Sequence, residues 1–246
     1  MRAVILFDVD GTLTESSQPL CDDMSFLLNF IKQKGYEIGT VGGGKFDKIL
    51  EQMGETTFHH YFSECGSVYH DEYKNEIYRK DIRKHSTYAK INKLLKCVLR
   101  FLSEVNYTIT GNFIDLRSGL VYVSLIGMVA NNEERKYFMD LDQRFKYRKK
   151  LLDLLREKAK ELGVLEEIDI VYGGSVGIAI YPKEFDKIQI LDSISKENYS
   201  QVHYFGDKYL PDGNDYRLLN CAGIIGHRVN SPNETMKILV DMLKNM

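Results

Sequence analysis

The chain has little cysteine, little proline and little net charge. Four cysteines, Cys21, Cys65, Cys97 and Cys221, are scattered over 246 residues with no Cys-x-x-Cys spacing, which excludes a disulfide scaffold and gives no zinc or redox signature. Reduced, mostly buried thiols are expected. Four prolines and no low-complexity tract leave no room for a long disordered linker. A formal net charge of −2 lacks the basic excess of a nucleic-acid-binding domain. No apolar run approaches the ~20 residues needed to span a bilayer. The one N-terminal candidate for a signal peptide is interrupted by Asp8. A soluble, cytoplasmic, globular chain is expected, long enough for one large or two modest domains.

What is present begins at once. Val4, Ile5, Leu6 and Phe7 run into Asp8-Val9-Asp10-Gly11-Thr12. The apolar run reads as a strand buried on both faces, as in a parallel sheet. Asp8 and Asp10 then sit at its end, where open α/β sheets place their ligands; the alternative is an ordinary Asp-Gly turn.

Residues 22–34 show helical spacing at Met24, Leu27, Leu28 and Ile31, with Asp22 or Asp23 as N-cap and Gly35 as stop. Residues 36–41 read as a strand, Gly42-Gly43-Gly44 as a loop, and 45–53 as a helix. This β-α-β-α alternation implies a parallel, helix-covered sheet. Small strand pieces over 61–78 and a helix over 86–104 follow.

The pattern then changes. Short strands are expected at 107–110, 113–116 and 120–125, the last two joined at Arg117-Ser118-Gly119. Residues 131–162 read as helix in two pieces, and 168–172 with 176–181 as a hairpin across Gly173-Gly174-Ser175. Hairpins beside helices suggest an antiparallel α+β domain. After Pro182 the first pattern returns: a helix at 185–193, a strand at 202–205, helices at 215–220 and 233–244, and a last strand at 224–225. The expected fold is therefore an α/β core with a parallel sheet, built from 1–80 and 183–246, with an antiparallel α+β domain at 81–182 inserted into it.

Asp8/Asp10, the glycine loop, Lys187 and Gly206-Asp207-Lys208 with Gly213-Asn214-Asp215 all fall at or near the ends of core elements. Carboxylates gathered in one small site repel unless a cation sits among them, and hard oxygen ligands suit Mg²⁺. A lysine beside them neutralises a transferring phosphoryl group, and glycine-loop amides at a helix start hold its oxygens.

In this order the residues resemble the haloacid-dehalogenase superfamily of phosphotransferases. More narrowly, the chain resembles the eukaryotic-type phosphomannomutases over nearly its whole length. The matching segments include Asp8 to Thr14, Phe113 to Gly119, Ser124 to Gly127, Glu133-Glu134-Arg135, Phe185-Asp186-Lys187 and Phe205 to Asp215. The resemblance implies Asp8 as nucleophile, Asp10 as general acid/base and Lys187 as the phosphate-orienting lysine. It implies Asp8, Asp10, Asp207 and Asp215 as Mg²⁺ ligands, and Gly43, Gly44, Arg117 and Arg135 as substrate contacts. The inserted domain becomes the substrate-binding cap. A hexose phosphate is the implied substrate, with a hexose bisphosphate activator and a homodimer formed through the cap; no nucleic acid or membrane partner is implied.

Several recognition positions depart from that family. Its arginine after the first motif is replaced near Ser17, and the arginine after Gly127 by Met128. A serine and an aspartate of the cap hairpin become Gly177 and Ala179, the glycine-loop serine becomes Gly44, and an aspartate of a second cation site becomes Cys221. The basic run Arg144, Lys146, Arg148, Lys149 and Lys150 either compensates or is a solvated helix face. The histidines show no metal spacing and read as surface or capping residues, with His227 a possible neighbour of the site. Interconversion of mannose 6-phosphate and mannose 1-phosphate is the leading expectation. A sugar-phosphate phosphatase on the same scaffold and a non-catalytic phosphosugar-binding protein are the rivals.

Overall fold

The computed structural model describes residues 3–194 and 198–244. Two compact units divide the chain: Met1–Lys80 with Lys187–Met246, and Asp81–Asp186.

The first unit opens with β1 (Ala3–Phe7), α1 (Asp22–Gln33), β2 (Glu37–Val41) and α2 (Phe46–Met53). Next come β3 (His60–Ser63), β4 (Val68–Asp71) and β5 (Glu76–Arg79). The second unit supplies α3 (Tyr88–Ser103), β6 (Ile114–Leu116), β7 (Val121–Ser124), α4 (Asn132–Phe145), α5 (Tyr147–Glu161), β8 (Ile168–Gly173) and β9 (Gly177–Pro182). The chain closes the first unit with β10 (Gln201–Gly206), α6 (Tyr216–Leu219), β11 (Ile225–Arg228) and α7 (Pro232–Lys244).

The first unit holds a seven-stranded sheet in the order β11-β10-β1-β2-β3-β4-β5. Strands β11 through β3 pair in parallel, and β4 and β5 extend the sheet as antiparallel neighbours. Strand β1 is apolar throughout because both of its faces are covered. Ile5 and Phe7 enter one core with Met24, Leu28, Ile49 and Leu239, while Val4 and Leu6 enter another with Ile190, Tyr204 and Leu218. The chain reverses direction across the sheet at β1, which has β2 on one side and β10 on the other. That reversal leaves a crevice beyond the strands' carboxyl ends.

In the second unit, β6-β7-β9-β8 form an antiparallel sheet. Helix α5 packs on α3 and on β8, burying Leu151, Leu152 and Leu155 with Ile91, Leu94 and Val98. An Asn131/Glu134 capping box starts α4, and the left-handed Lys146 (φ 57°) separates it from α5. No helix of the described residues is long and apolar enough to cross a membrane.

Four local expectations are corrected. Residues 107–110 form no strand: single bonds from Thr110 N–H to Ile126 O (2.8 Å) and Tyr107 OH to Leu125 O (3.0 Å) hold this segment, and the left-handed Gly111 and Asn112 interrupt it. The helix expected at 185–193 is two 3₁₀ turns, Lys183–Phe185 and Lys187–Asp192, separated by extended Asp186. Cys21, not an aspartate, is the N-cap position of α1, with Asp22 and Asp23 in the first turn where the helix dipole favours them. Of the cysteines, only Cys65 is buried; Cys21 is exposed and Cys97 and Cys221 are half-buried.

Candidate active site

The crevice at the β1/β10 boundary collects the carboxylates. Phe7 and Phe205 are in register on the two parallel strands, so Asp8 and Asp207 leave adjacent strand ends. Asp8 N–H donates to Phe205 O at 2.9 Å, fixing the first residue beyond β1. Asp215, in the loop before α6, returns to the same point. One oxygen from each of Asp8, Asp207 and Asp215 lies within 4.8 Å of the others.

Two glycines permit this crowding. A Cβ on Gly206 would lie 2.7 Å from Asp215 Cγ. Gly11 has φ +91°, and a Cβ there would lie 2.5 Å from Asp207 Oδ2. Asp-Gly in the first motif is therefore more than a turn preference: the glycine makes room for the aspartate of another strand.

Lys187 enters from the 3₁₀ turn and is completely buried. Its Nζ donates to Asp8 Oδ1, to Asp215 Oδ1 at 2.7 Å and to Tyr204 OH at 3.2 Å. Tyr204 in turn donates to Asp215, whose other oxygen accepts Lys208 N–H at 2.9 Å. Lys208 Nζ pairs with Asp207. The carboxylates outnumber the ammonium groups, and the electrostatics follow. Burial pushes the Asp8 carboxyl up to about 8; Lys187 opposes the shift while Asp215 and Asp207 add to it. Burial also raises Asp207, with Lys208 partly offsetting it. For Lys187, burial alone would favour the neutral amine, but Asp215 and Asp8 outweigh it and hold the ammonium well above its ordinary range.

This donor set fits a hard divalent cation. Three carboxylates converge, and Asp207 Oδ1 is buried without a hydrogen-bond partner, an arrangement that a bound cation would satisfy.

Asp10 is not among the three aspartates whose oxygens lie within 4.8 Å of one another. Just before the bend at Gly11, its side chain turns toward α2. Oδ1 accepts Ser17 N–H at 2.7 Å and Gln52 Nε2 at 3.0 Å, and Oδ2 accepts Lys48 Nζ at 3.3 Å. Burial works against the charged form of Asp10, but Lys48, the Ser17 N–H and Gln52 outweigh it and hold the carboxyl below its ordinary range. Lys48 also donates to Ser17 Oγ at 3.2 Å. Sequence reasoning missed Lys48 and Gln52. Their i, i+4 spacing puts both on one face of α2, beside the core-facing Ile49 and Met53, and was the available signal. Tyr204, hidden inside an apolar strand, gave none.

The glycine loop sits beside the cluster. Glu64 N–H donates to Gly44 O and Cys65 N–H to Gly42 O, both at 2.9 Å. A Cβ on Gly43 would stand 4.0 Å from Asn214 Nδ2 and one on Gly44 3.5 Å from Lys48 Cδ. Helix α2 follows with no side-chain cap at its N-terminus.

In the second unit, taken by itself, Arg117 Nε donates to Asp115 at 2.8 Å and its guanidinium stacks over Tyr122. Arg135 donates to the carbonyls of Ala130 (3.0 Å) and Met128 (3.2 Å). The basic run is tied down locally: Arg148 to Asp142 (2.7 Å) and Gly174 O (3.3 Å), Lys149 to Asp153 (2.7 Å). Most histidines prove structural. His60 contacts Glu37 and Tyr199, His70 stacks on Phe46, and His203 bonds His227, which stacks on Phe205; His60 is half-buried and His70 and His203 are buried, which corrects their surface reading.

A sequence profile described as "Eukaryotic phosphomannomutase" matches residues 24–245. The chain belongs to that family. It is 34% identical to the phosphomannomutase of Saccharomyces cerevisiae, covering 98% of this chain and 94% of the relative. It is 36% identical to that of Arabidopsis thaliana, over 95% and 93%. Among solved structures, a haloacid dehalogenase-like hydrolase from B. subtilis superposes with a TM-score of 0.61 at 12% identity, covering 96% of this chain and 98% of that one. That likeness shows the haloacid-dehalogenase-like fold. Family membership makes the chain a phosphomannomutase-type isomerase within that superfamily.

Proposed function

We propose that the protein interconverts mannose 6-phosphate and mannose 1-phosphate by phosphoryl transfer through Asp8. The observation that carries this reading is the convergence of Asp8, Asp207 and Asp215 on the buried Lys187 in a member of the phosphomannomutase family.

A hexose bisphosphate primes the cycle by leaving one phosphate on Asp8 as an acyl phosphate. The free hydroxyl of the sugar monophosphate attacks that phosphorus, Asp10 takes the hydroxyl proton, and the bond from phosphorus to the Asp8 oxygen breaks, giving a hexose bisphosphate. The bisphosphate turns over. The Asp8 oxygen then attacks its other phosphorus, the bond from phosphorus to the sugar oxygen breaks, and Asp10 returns the proton to that oxygen, releasing the isomeric monophosphate and restoring the Asp8 phosphate. The partners of Asp10 suit this role: Lys48, Gln52 and Ser17 favour its carboxylate, the form that accepts the hydroxyl proton. Asp8, Asp207 and Asp215 would hold Mg²⁺, which supplies positive charge to the transferring phosphoryl oxygens. Lys187 adds a fixed ammonium beside the nucleophile. Gly43 and Gly44 offer backbone amides at the start of α2, and Arg117 and Arg135 serve the substrate's distal phosphate.

The reading extends to a cytoplasmic homodimer joined through the second unit, whose surface exposes Val129, Tyr137, Met139 and Phe145. A phosphatase is the second reading. It is favoured by Arg135, two of whose N–H groups are already given to backbone carbonyls, and by the glycine and alanine at positions 177 and 179. A weaker hold on the sugar phosphate would let it leave while the phosphoryl group stays on Asp8, and water would then attack that phosphorus and release inorganic phosphate.

The test supplies mannose 1-phosphate, a hexose bisphosphate and MgCl₂ and follows both sugar isomers and free phosphate. Mannose 6-phosphate in excess of phosphate is the expected product. Stoichiometric phosphate with no isomer would establish the phosphatase instead. Asp8→Asn abolishes either activity; a variant as active as the parent would remove Asp8 from the chemistry.

A further inference from the structure

One face of the antiparallel sheet in the second unit is built differently from an open donor surface. Asp115, Tyr122, Ala179 and Val171 lie in register across β6, β7, β9 and β8, and Ser124, Gly177 and Gly173 form the next row on that face. The ring of Tyr122 leans diagonally over the two glycines. A Cβ on Gly177 would meet the ring's Cζ and its hydroxyl oxygen at 2.4 Å, and one on Gly173 would meet Cε2 at 2.9 Å. The hydroxyl donates to Gly173 O at 3.1 Å, which locks the lean. Arg117 lies against the same ring, its guanidinium carbon 4.9 Å from the ring centroid. Asp115, opposite Tyr122 in the register, takes Nε of Arg117 at 2.8 Å. The Arg117 side chain is only 10% exposed, although it belongs to a hairpin turn.

The tyrosine ring therefore contacts both the glycine pair and the guanidinium. An arginine in a turn ordinarily samples many rotamers and loses that freedom when it binds an anion. Here a ring packed against it and a carboxylate bonded to its Nε fix the plane beforehand. The same ring fills the volume that any side chain at position 177 would require, so glycine there is a consequence of the stack.

We propose that Tyr122 and Asp115 are positioning residues that preorganise Arg117 to receive the phosphate of a sugar phosphate, with Gly177 kept side-chain-free to seat the ring. The proposal rests on the preceding reading that Arg117 meets substrate phosphate. It assigns a share of recognition in this chain to an oriented guanidinium in place of hydrogen-bonding side chains on the β8–β9 hairpin.

The test uses the full chain and steady-state kinetics on mannose 1-phosphate, with melting temperatures as folding controls. Tyr122→Leu removes the stack and is expected to raise KM about tenfold while kcat stays within about threefold, the size of a lost cation–π restraint. Tyr122→Phe keeps the ring and recovers most of the parent KM. Gly177→Ser displaces the ring and raises KM to a similar degree, and adding it to Tyr122→Leu raises KM no further. A Tyr122→Leu variant with the parent's KM, or a double variant whose KM effects multiply, overturns the proposal. Should Gly177→Ser fail to fold, the leucine and phenylalanine variants decide alone. A parent that turns over neither sugar phosphate refutes the proposed reaction only; calorimetric binding of mannose 1-phosphate to the same proteins then reads the tenfold difference. A parent that binds no sugar phosphate overturns both.

Discussion

Replacing Lys187 by methionine keeps most of the side-chain volume and deletes one charge from a site closed to water. Lys187 is fully buried, and its ammonium serves Asp8, Asp215 and the Tyr204 hydroxyl. Removing one partner of a buried ion pair costs about 3–5 kcal/mol because the other charge stays behind unpaired. Asp215, with no exposed surface, has no route to water; Asp8 has a partial escape, since its carboxyl already titrates at about 8. A carboxyl whose folded pKa lies above its unfolded value favours folding below the unfolded pKa, and that contribution disappears as pH rises through the folded value. Without Lys187 the Asp8 carboxyl rises further, so the metal-free variant should lose less stability near about pH 6, where Asp8 is protonated in folded parent and variant alike, than near about pH 8.5, where the parent's Asp8 is ionised beside Lys187 and the variant's is not. Equilibrium urea unfolding at the two pH values measures this directly. MgCl₂ supplies an alternative counter-charge: a cation that binds only the folded state at a hundredfold excess over Kd adds about 2.7 kcal/mol. Its benefit grows with pH, because cation and proton compete for the same oxygens. A variant with the parent's urea midpoint at both pH values would refute Lys187 as the counter-charge. A loss of equal size at both would remove Asp8 from the titration.

Three further outcomes are expected. Lys48→Met and Gln52→Leu each release one hold on Asp10 and should lower kcat about 10-fold or more with KM little changed, as general acid/base catalysis is worth ~10²–10⁴ in all; unchanged kcat in both would separate Asp10's partners from its chemistry. Gly11→Ala places a Cβ 2.5 Å from Asp207 Oδ2 at φ +91°, so the Mg²⁺-induced rise in melting temperature should vanish; an undiminished rise would show that Asp207 is not a ligand. His227, held near 4 by burial and by His203, stays neutral in the fold while the unfolded chain takes up a proton as pH falls below about 6.5. Stability is then lost between those values, by about 1 kcal/mol at pH 5.5. His227→Gln should flatten that part of the urea-midpoint profile, and an unaltered profile would place the titration elsewhere.

Much of the fold was legible because each element carries its own period. Val4 to Phe7 announced a strand covered on both faces, and the spacing of Met24, Leu28 and Ile31 announced α1. The failures have local causes too. Residues 107–110 look β-prone, yet no neighbouring strand takes up their bonds. Residues 185–193 look helical, yet extended Asp186 divides them so that Lys187 enters the site from a fresh turn. The histidines misled because a polar type was read as a surface type, while His70 finds an aromatic partner and His203 another histidine inside the packing.

By itself the sequence determined which chemical groups exist and roughly where each stands on its own element. Asp8, Asp10, Lys187, Asp207 and Asp215 could be named, and their order along the chain pointed to phosphoryl transfer. Tertiary structure alone decided which of them meet. Lys187 and Asp8 are 179 residues apart, and no local period encodes a contact at that distance; it comes from β10 pairing beside β1. The same packing separates two aspartates that are neighbours in sequence, sending Asp8 to Lys187 and Asp10 to Lys48 and Gln52. In the second unit it is sheet register that sets Tyr122 over Gly177 and beside Asp115, because register decides which side chains share a face and a row.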